Sequence, residues 1–201
     1  MTHEALFKIG YGLYVLSARQ GNKDNACINN TFLQITSNDP VVCVIAVNKR
    51  NLTHEMILAT GQFNVSVLTT KALFAVYERF GFQSGKDTDK FKGLSGVSRS
   101  KNGLVYLTEN TNAFLSFTVK NTADYGTHTL FTAEITESGI INSDESVTYG
   151  YYHANIKPKL KDIKSKGYRC TICGYVYDGD PLPDDFICPI CKHSVNDFVK
   201  I

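Results

Sequence analysis

The chain has 201 residues, of which 43% are hydrophobic and 20% are charged. This balance is typical of a globular protein with a core of normal size, and it excludes a disordered or fibrous chain. The net charge of +2 is small and the arginines are scattered, so we expect no nucleic-acid partner.

Short β-strands separated by turn residues dominate the first three quarters of the chain. β-Branched and aromatic residues predict strands at 12–18, 28–36, 41–47, 63–68, 113–120, 127–136 and 146–152. The run at 41–47 is apolar throughout and predicts a strand buried on both faces. This run is also too short to cross a membrane, and the N-terminus lacks a signal peptide. We therefore expect a cytoplasmic protein without membrane association.

Two short helices are predicted between these strands. The first covers residues 53–60, with Thr53 as a candidate cap and Gly61 as a left-handed stop. The second covers residues 72–80 and places Leu73, Val76, Tyr77 and Phe80 on one stripe. Many strands and few helices favour a closed β-barrel over a parallel α/β sheet.

The composition changes near residue 154. Residues 155–166 contain five lysines and Pro158, which predicts an extended linker, with a short exposed helix as the alternative. We therefore divide the chain into a first domain at 1–153, a Lys-rich linker at 154–167 and a small C-terminal domain at 168–201.

Four cysteines of the C-terminal domain form two CxxC pairs, Cys170 with Cys173 and Cys188 with Cys191. Two intervening residues let one tight turn aim both sulfurs at a shared point. Four thiolates suit zinc or iron and exclude magnesium or calcium. The spacing alone leaves open both a structural zinc ribbon and a one-electron iron site.

The residues around these cysteines resemble rubredoxin. The segments YRCTICGYVYD and DDFICPIC carry this resemblance, which covers residues 168–201 and implies one iron ion per chain in preference to zinc. The short spacing between the pairs is similar to the truncated module of rubrerythrins. Lys192 stands where a second glycine is usual, and Phe186 stands where tryptophan is frequent.

The segments IGYGLYVLSAR, NNTFLQITSNDPVVCVIAVNKRNLTHEMI, GQFNVSVL and YGTHTLFTAEI resemble the flavin reductase-like family. This resemblance implies that the first domain is an FMN-binding split β-barrel with a few short helices. It also implies FMN in preference to FAD, NAD(P)H as electron donor, and a homodimer formed through the flavin domain. The sequence has no GxGxxG motif, which fits a nicotinamide that visits the flavin without a Rossmann domain.

The candidate flavin-binding residues lie in two segments. Asn30, Thr31 and Gln34 can hydrogen-bond the polar edge of the flavin ring, although a polar turn is the alternative for this segment. The second set opens a helix, where backbone N–H groups and the helix dipole fit a phosphate. Its members are Asn48, Lys49, Asn51, Thr53 and His54, with Asn51 in a position where the family commonly has serine.

Two further residues are candidates from the same resemblance. His128 follows Thr127, which stands in the usual place of an aspartate, and we predict His128 as a catalytic residue near the flavin or nicotinamide. The missing aspartate leaves direct use of NADH open. Lys90 is predicted to face the cofactor or the partner subunit. The alternative for His128 is a core or interface histidine whose hydrogen bonds are satisfied. The alternative for Lys90 is an exposed loop lysine.

A flavin barrel followed by a rubredoxin resembles the high-molecular-weight rubredoxins of anaerobic bacteria. This implies an oxidoreductase that passes electrons from NAD(P)H through FMN to an Fe(Cys)4 centre. The acceptor would be a flavodiiron oxygen or nitric oxide reductase or another redox protein. Two alternatives stay open: an FMN-binding or ligand-binding barrel with a structural zinc ribbon, and a free flavin reductase with an accessory iron domain.

Overall fold

The computed structural model describes residues 9–158, 167–171, 174–188 and 193–201. The first domain contains a seven-stranded antiparallel sheet and a separate β-hairpin. Its elements are β1 (Tyr14–Gln20), β2 (Lys23–Asn29), β3 (Phe32–Gln34), β4 (Val42–Asn48), α1 (Leu52–Thr60), β5 (Gln62–Leu68), α2 (Phe74–Gly81), β6 (Val97–Arg99), β7 (Val105–Leu107), β8 (Thr111–Asp124), β9 (His128–Ile140) and α3 (Tyr149–Tyr151), followed by a π-helical turn at Tyr152–Ile156.

The large sheet closes on itself. Its strand order is β2-β1-β5-β8-β9-β4-β3, so β2 and β3 stand at opposite ends of the order. Only Asn30 and Thr31 separate these strands along the chain, a link that spans about 10 Å at most. The end of β2 must therefore lie near the start of β3, where the side-chain amide of Asn29 donates to Ala46 O at 2.8 Å. The predicted mainly β barrel is confirmed.

Two apolar clusters cover both faces of β1. Leu16, Phe63 and Phe117 belong to the barrel interior, and the Phe63 and Phe117 rings stack with centroids 4.8 Å apart. Val15 belongs to the second cluster, where Tyr77 and other buried side chains pack α2 against the outside of the barrel. Burial on both faces fixes the register of β1 and holds α2 in place.

Three predicted strands differ from the structure. The segment predicted at 28–36 is divided into the end of β2 and the short β3, because the chain crosses between the two sheet edges there. In β4, Cys43, Ile45 and Val47 are buried while the alternate side chains are only half-buried. The strand predicted at 146–152 is wrong beyond residue 148. Residues 149–156 are helical, because this winding packs Tyr152 against Tyr77 at a centroid distance of 4.5 Å.

The two predicted helices are present with small shifts. α1 ends at Gly61, whose φ of 67° is left-handed as expected. α2 begins at Phe74, so the 67% exposed Leu73 precedes the helix and does not contribute to its buried stripe. None of the helices in the part of the chain that is described is long and apolar enough to span a membrane.

The C-terminal domain has a three-stranded sheet in the order β11-β10-β12. Its elements are β10 (Tyr168–Cys170), β11 (Val176–Tyr177), a 3-10 turn at Val195–Asp197 and β12 (Phe198–Lys200). Phe186 lies between Tyr177 and Phe198, at centroid distances of 4.7 and 5.4 Å. Of the predicted linker, residues 154–156 belong to the helical turn and residues 159–166 lie outside the described residues.

Candidate functional site

A cavity of about 430 Å³ lies in the first domain at the N-terminal end of α1. β2, the end of α2 with its following loop, and the C-terminal helical turn form its other walls. Five residues predicted from the sequence line it: Asn30, Asn48, Asn51, Thr53 and Lys90. The volume is that of a pocket for a single small ligand.

The first turn of α1 presents unpaired donors at this cavity. Asn51 is the residue before the helix, and its side chain makes no capping hydrogen bond. Among the residues that the structure describes, the backbone N–H groups of Leu52 and Thr53 have no acceptor. Free N–H groups and the positive end of the helix dipole favour an anionic ligand here, and a phosphate fits both.

Thr53 hydrogen-bonds two other residues of the cavity wall, Asn25 and Cys27. Its side chain is fully buried, and Oγ1 accepts a hydrogen bond of 2.9 Å from the Asn25 amide. It also hydrogen-bonds Cys27, whose thiol pKa is raised by burial. Gly85 closes over Asn25, and a Cβ there would lie 2.1 Å from Asn25 Oδ1. Only glycine lets the loop after α2 approach this closely.

Lys90 is a buried cation on the cavity wall. Its side chain is 3% exposed, and Nζ donates to Ala26 O at 2.9 Å and Phe80 O at 3.1 Å. Burial lowers the pKa of Lys90. The cavity wall also carries Arg50 and Lys157, and it contains no Asp or Glu among the described residues. A buried cation without a carboxylate favours an anionic ligand.

Thr31, Gln34 and Lys49 lie outside the cavity wall. The Thr31 N–H donates to Asn29 Oδ1 at 3.0 Å. The exposed Gln34 amide donates to Thr36 O at 2.8 Å. Lys49 forms an ion pair of 2.6 Å with Asp124, and its hydrogen bond holds the pKa of that carboxyl below its usual range.

The two candidate histidines, His54 in α1 and His128 at the start of β9, are not part of the cavity wall. His54 is buried and its Nε2 contacts Thr129 Oγ1 at 2.8 Å, while burial lowers its pKa. Its Nδ1 is also buried and has no partner among the described residues. His128 is paired in register with Asn48, and its Nδ1 contacts Thr127 Oγ1 at 2.9 Å. The structure therefore brings His128 to the strand end next to the cavity.

One wall of the cavity, formed by the C-terminal helical turn, was not predicted from the sequence. Tyr149, Tyr152, His153 and Lys157 line it from the C-terminal helical turn. The spacing of Tyr149, Tyr152 and His153 at i, i+3 and i+4 is helical and could have indicated this surface. His193, from the C-terminal domain, lines the same cavity, and no sequence pattern predicts its position.

Two of the predicted metal ligands, Cys170 and Cys188, are fully buried, whereas Cys173 and Cys191 lie outside the described residues. Both turns contain the same hydrogen bond. The Cys170 N–H donates to Tyr175 O and the Cys188 N–H donates to His193 O, each at 2.8 Å. The two described cysteines therefore make equivalent backbone hydrogen bonds, as two matched halves of a thiolate site would.

Gly174 completes the first of these turns. Its φ is 83°, and its N–H donates to Cys170 O at 2.9 Å. A positive φ is accessible to glycine at little cost. In the second CxxC pair the sequence has Lys192 in place of the usual glycine, and Lys192 lies outside the described residues. The hydrogen bond from Cys188 N–H to His193 O is present all the same.

Comparison with known proteins finds two domain families in the chain. The model of the flavin reductase like domain matches residues 6–159, and the model of the rubrerythrin, rubredoxin-like domain matches residues 168–199. The high molecular weight rubredoxin of Moorella thermoacetica is 38% identical over all of both chains. The ferric-chelate reductase (NAD(P)H) of Archaeoglobus fulgidus is 35% identical, covering 79% of this chain and 93% of its own.

The fold of the first domain also occurs in solved structures. An NADH:FAD oxidoreductase of Streptomyces globisporus C-1027 superposes with a TM-score of 0.63 at 20% identity. The match covers 72% of this chain and 84% of that one. At this identity the likeness is one of fold.

Proposed function

Because the chain belongs to the flavin reductase-like family and ends in a rubredoxin-like domain, we propose that this oxidoreductase passes electrons from NAD(P)H through FMN to one iron ion. The iron would then reduce a redox partner such as a flavodiiron protein. The sequence similarity supports a flavin and an iron as the cofactors. The choice of FMN, the donor and the partner are our proposals.

One observation carries the flavin part of the proposal. The cavity combines the free N–H groups of α1, a buried Lys90 and a described wall without carboxylates. These groups fit a ligand that joins a phosphate to a flat ring with polar edges. The cavity volume of about 430 Å³ favours the mononucleotide FMN over the larger FAD.

The residues of the first domain have distinct roles in this proposal. When bound, a flavin accepts hydride from a nicotinamide and releases single electrons. Leu52 and Thr53 N–H groups hold the phosphate, assisted by Asn51. Asn30 and Lys90 line the cavity. In this proposal Asn30 would hydrogen-bond the ring edge, and Lys90 would balance negative charge there. His128 is proposed to contact the nicotinamide from the strand end beside Asn48.

The C-terminal domain supplies the second site. Cys170, Cys173, Cys188 and Cys191 would bind the iron, and Phe186 with its aromatic neighbours would shield it from water. Rubredoxin-like sites carry one electron, and backbone hydrogen bonds near the sulfurs tune the potential. Because cysteines stay available as metal ligands where thiols are kept reduced, we propose that the protein is cytoplasmic.

We also propose a homodimer formed through the first domain. β3 is an edge strand that pairs with β4 alone in the described sheet. Leu33 and Ile35, at this edge, are 64% and 55% exposed. Exposed apolar side chains on an edge strand favour association with another surface.

Anaerobic stopped-flow mixing with NADH, and separately with NADPH, tests the electron path. We expect the flavin absorbance to bleach first and the ferric absorbance afterwards in the same trace. The faster nucleotide identifies the donor. If neither chromophore bleaches while both cofactors are bound, hydride transfer to this chain is wrong and a separate reductase must supply the electrons.

A further inference from the structure

His193 connects the two domains of the structure. It lies in the C-terminal domain, yet it lines the cavity of the first domain together with Tyr149, His153 and Lys157. The surface of the C-terminal domain that contains His193 therefore stands at the cavity.

The same residue belongs to a metal-binding turn. The carbonyl of His193 accepts a hydrogen bond of 2.8 Å from the N–H of Cys188, which is fully buried and predicted to bind the iron. The neighbouring Ser194 forms a β-bridge with Ile187, the residue before Cys188. One hydrogen bond thus separates a predicted iron ligand from a residue on the cavity wall.

The cavity wall and the C-terminal domain as a whole carry opposite charges. The cavity wall carries Arg50, Lys90 and Lys157, with no carboxylate among the described residues. In the C-terminal domain, the aspartates outnumber the described cations Arg169 and Lys200; they are Asp178, Asp180, Asp184, Asp185 and Asp197. Four bound thiolates add further negative charge, because the iron offsets only part of it. Complementary potentials favour association of the two surfaces.

We propose that the cavity mouth is the docking surface for the chain's own rubredoxin-like domain, with His193 facing the cavity. This inference rests on the proposed function, since it places the iron site beside the flavin. The contact is partly ionic, so salt should weaken it. Electrons would leave the flavin cavity through the wall that His193 completes.

The iron itself provides a probe, because a paramagnetic ion broadens the NMR resonances of nearby amides. The full chain with bound FMN would be compared in its iron-loaded and zinc-loaded forms. We expect the iron to weaken the amide peaks of residues 149–157. Along α1, the loss should be greatest at Leu52 and Thr53 and smallest at Thr60, which lies about 10 Å further along the helix.

A charge-reversing variant tests the ionic part. Lys157→Glu should restore the weakened peaks of α1, as should high salt. The matched control Lys120→Glu changes the net charge equally at a residue that does not line the cavity, and it should leave the broadening unchanged. Equal α1 intensities in the iron and zinc forms, with FMN and metal bound, would overturn the docking proposal alone. Failure to bind FMN or iron would instead contradict the proposed function.

Discussion

Lys90 is a buried cation, beside which we propose that an anion binds. Two carbonyl acceptors satisfy part of its ammonium group, and no described carboxylate pairs with it. The folded apoprotein therefore holds a charge that water would stabilise better. A bound anion would relieve this cost, which links the stability of the domain to its ligand.

This burial predicts a pH dependence. The folded-state pKa of Lys90 is lowered, so between that value and the ordinary 10.5 the unfolded chain binds more protons. The free energy of unfolding of the apoprotein should rise with pH across this window, and Lys90→Met should lose this rise. Urea unfolding between about pH 8 and about pH 10 measures both slopes.

Lys92→Met is the matched control, because Lys92 is exposed two residues further along the same loop. It should keep the wild-type slope. If Lys90→Met also kept that slope, the proton linkage would not arise from Lys90.

At the level of elements, α1 is the part of the barrel that presents a ligand site. Its first turn lacks a capping side chain, and its last turn is closed by the left-handed Gly61. A helix with a free N-terminus is less stable than a capped one. The uncapped N-terminus of α1 therefore lowers the stability of the apoprotein, and a bound phosphate would raise it again.

The variant Asn51→Asp separates the stability of the apoprotein from its affinity for a phosphate. A carboxylate at the positive end of α1 should stabilise the apoprotein by about 0.3–1 kcal/mol. It should also repel a phosphate and weaken FMN binding by about tenfold or more, a difference of about 1.4 kcal/mol. Riboflavin has no phosphate, so its affinity should remain within about twofold. Calorimetric titration of both ligands and urea unfolding provide the measurements.

Asn22→Asp makes the same chemical change in the exposed turn between β1 and β2. FMN affinity should stay at the wild-type value in this control. Equal losses of FMN and riboflavin affinity in Asn51→Asp would mean that the phosphate binds elsewhere.

At the scale of the whole molecule, the two domains differ in what stabilises them. Both apolar core clusters consist of first-domain residues. The C-terminal domain has three strands of two or three residues and one aromatic group around Phe186. A domain this small needs a metal to be stable.

Cys188→Ser should therefore abolish stoichiometric metal binding and unfold the C-terminal domain, with the barrel unchanged. Metal analysis and amide hydrogen exchange, mapped to each domain, would measure the two effects. Cys43→Ala removes a buried cysteine outside the CxxC pairs and should keep one metal per chain. Full metal content in Cys188→Ser would contradict the four-cysteine site.

The proposed dimer gives a prediction at the same scale. Leu33→Asp places a charge on the exposed edge strand β3, and sedimentation velocity should then show a monomer. Leu73→Asp introduces the same charge at a side chain of similar exposure, 67% against 64%, before α2. This control should remain dimeric. A dimeric Leu33→Asp variant would place the interface on another surface.

The sequence by itself determined the features that depend on local pattern. CxxC pairs, alternating apolar strands and a helix stopped by Gly61 all depend on neighbours within a few residues. The class of fold and the two short helices could therefore be predicted, and the four cysteine ligands stay a prediction from their spacing. Family resemblance added the flavin, which composition and spacing did not show.

Only the tertiary structure decided which residues meet at the cavity. Asn25, Gly85, Tyr152 and His193 are distant in the chain, and they come together through long-range packing. The same packing overrode the predicted strand at 146–152, because Tyr152 gains contact with Tyr77 only when the segment is helical. Lys90 likewise became a buried cation because α2 and β2 supply its carbonyl acceptors. A local pattern cannot specify such contacts, since they depend on how separate elements pack.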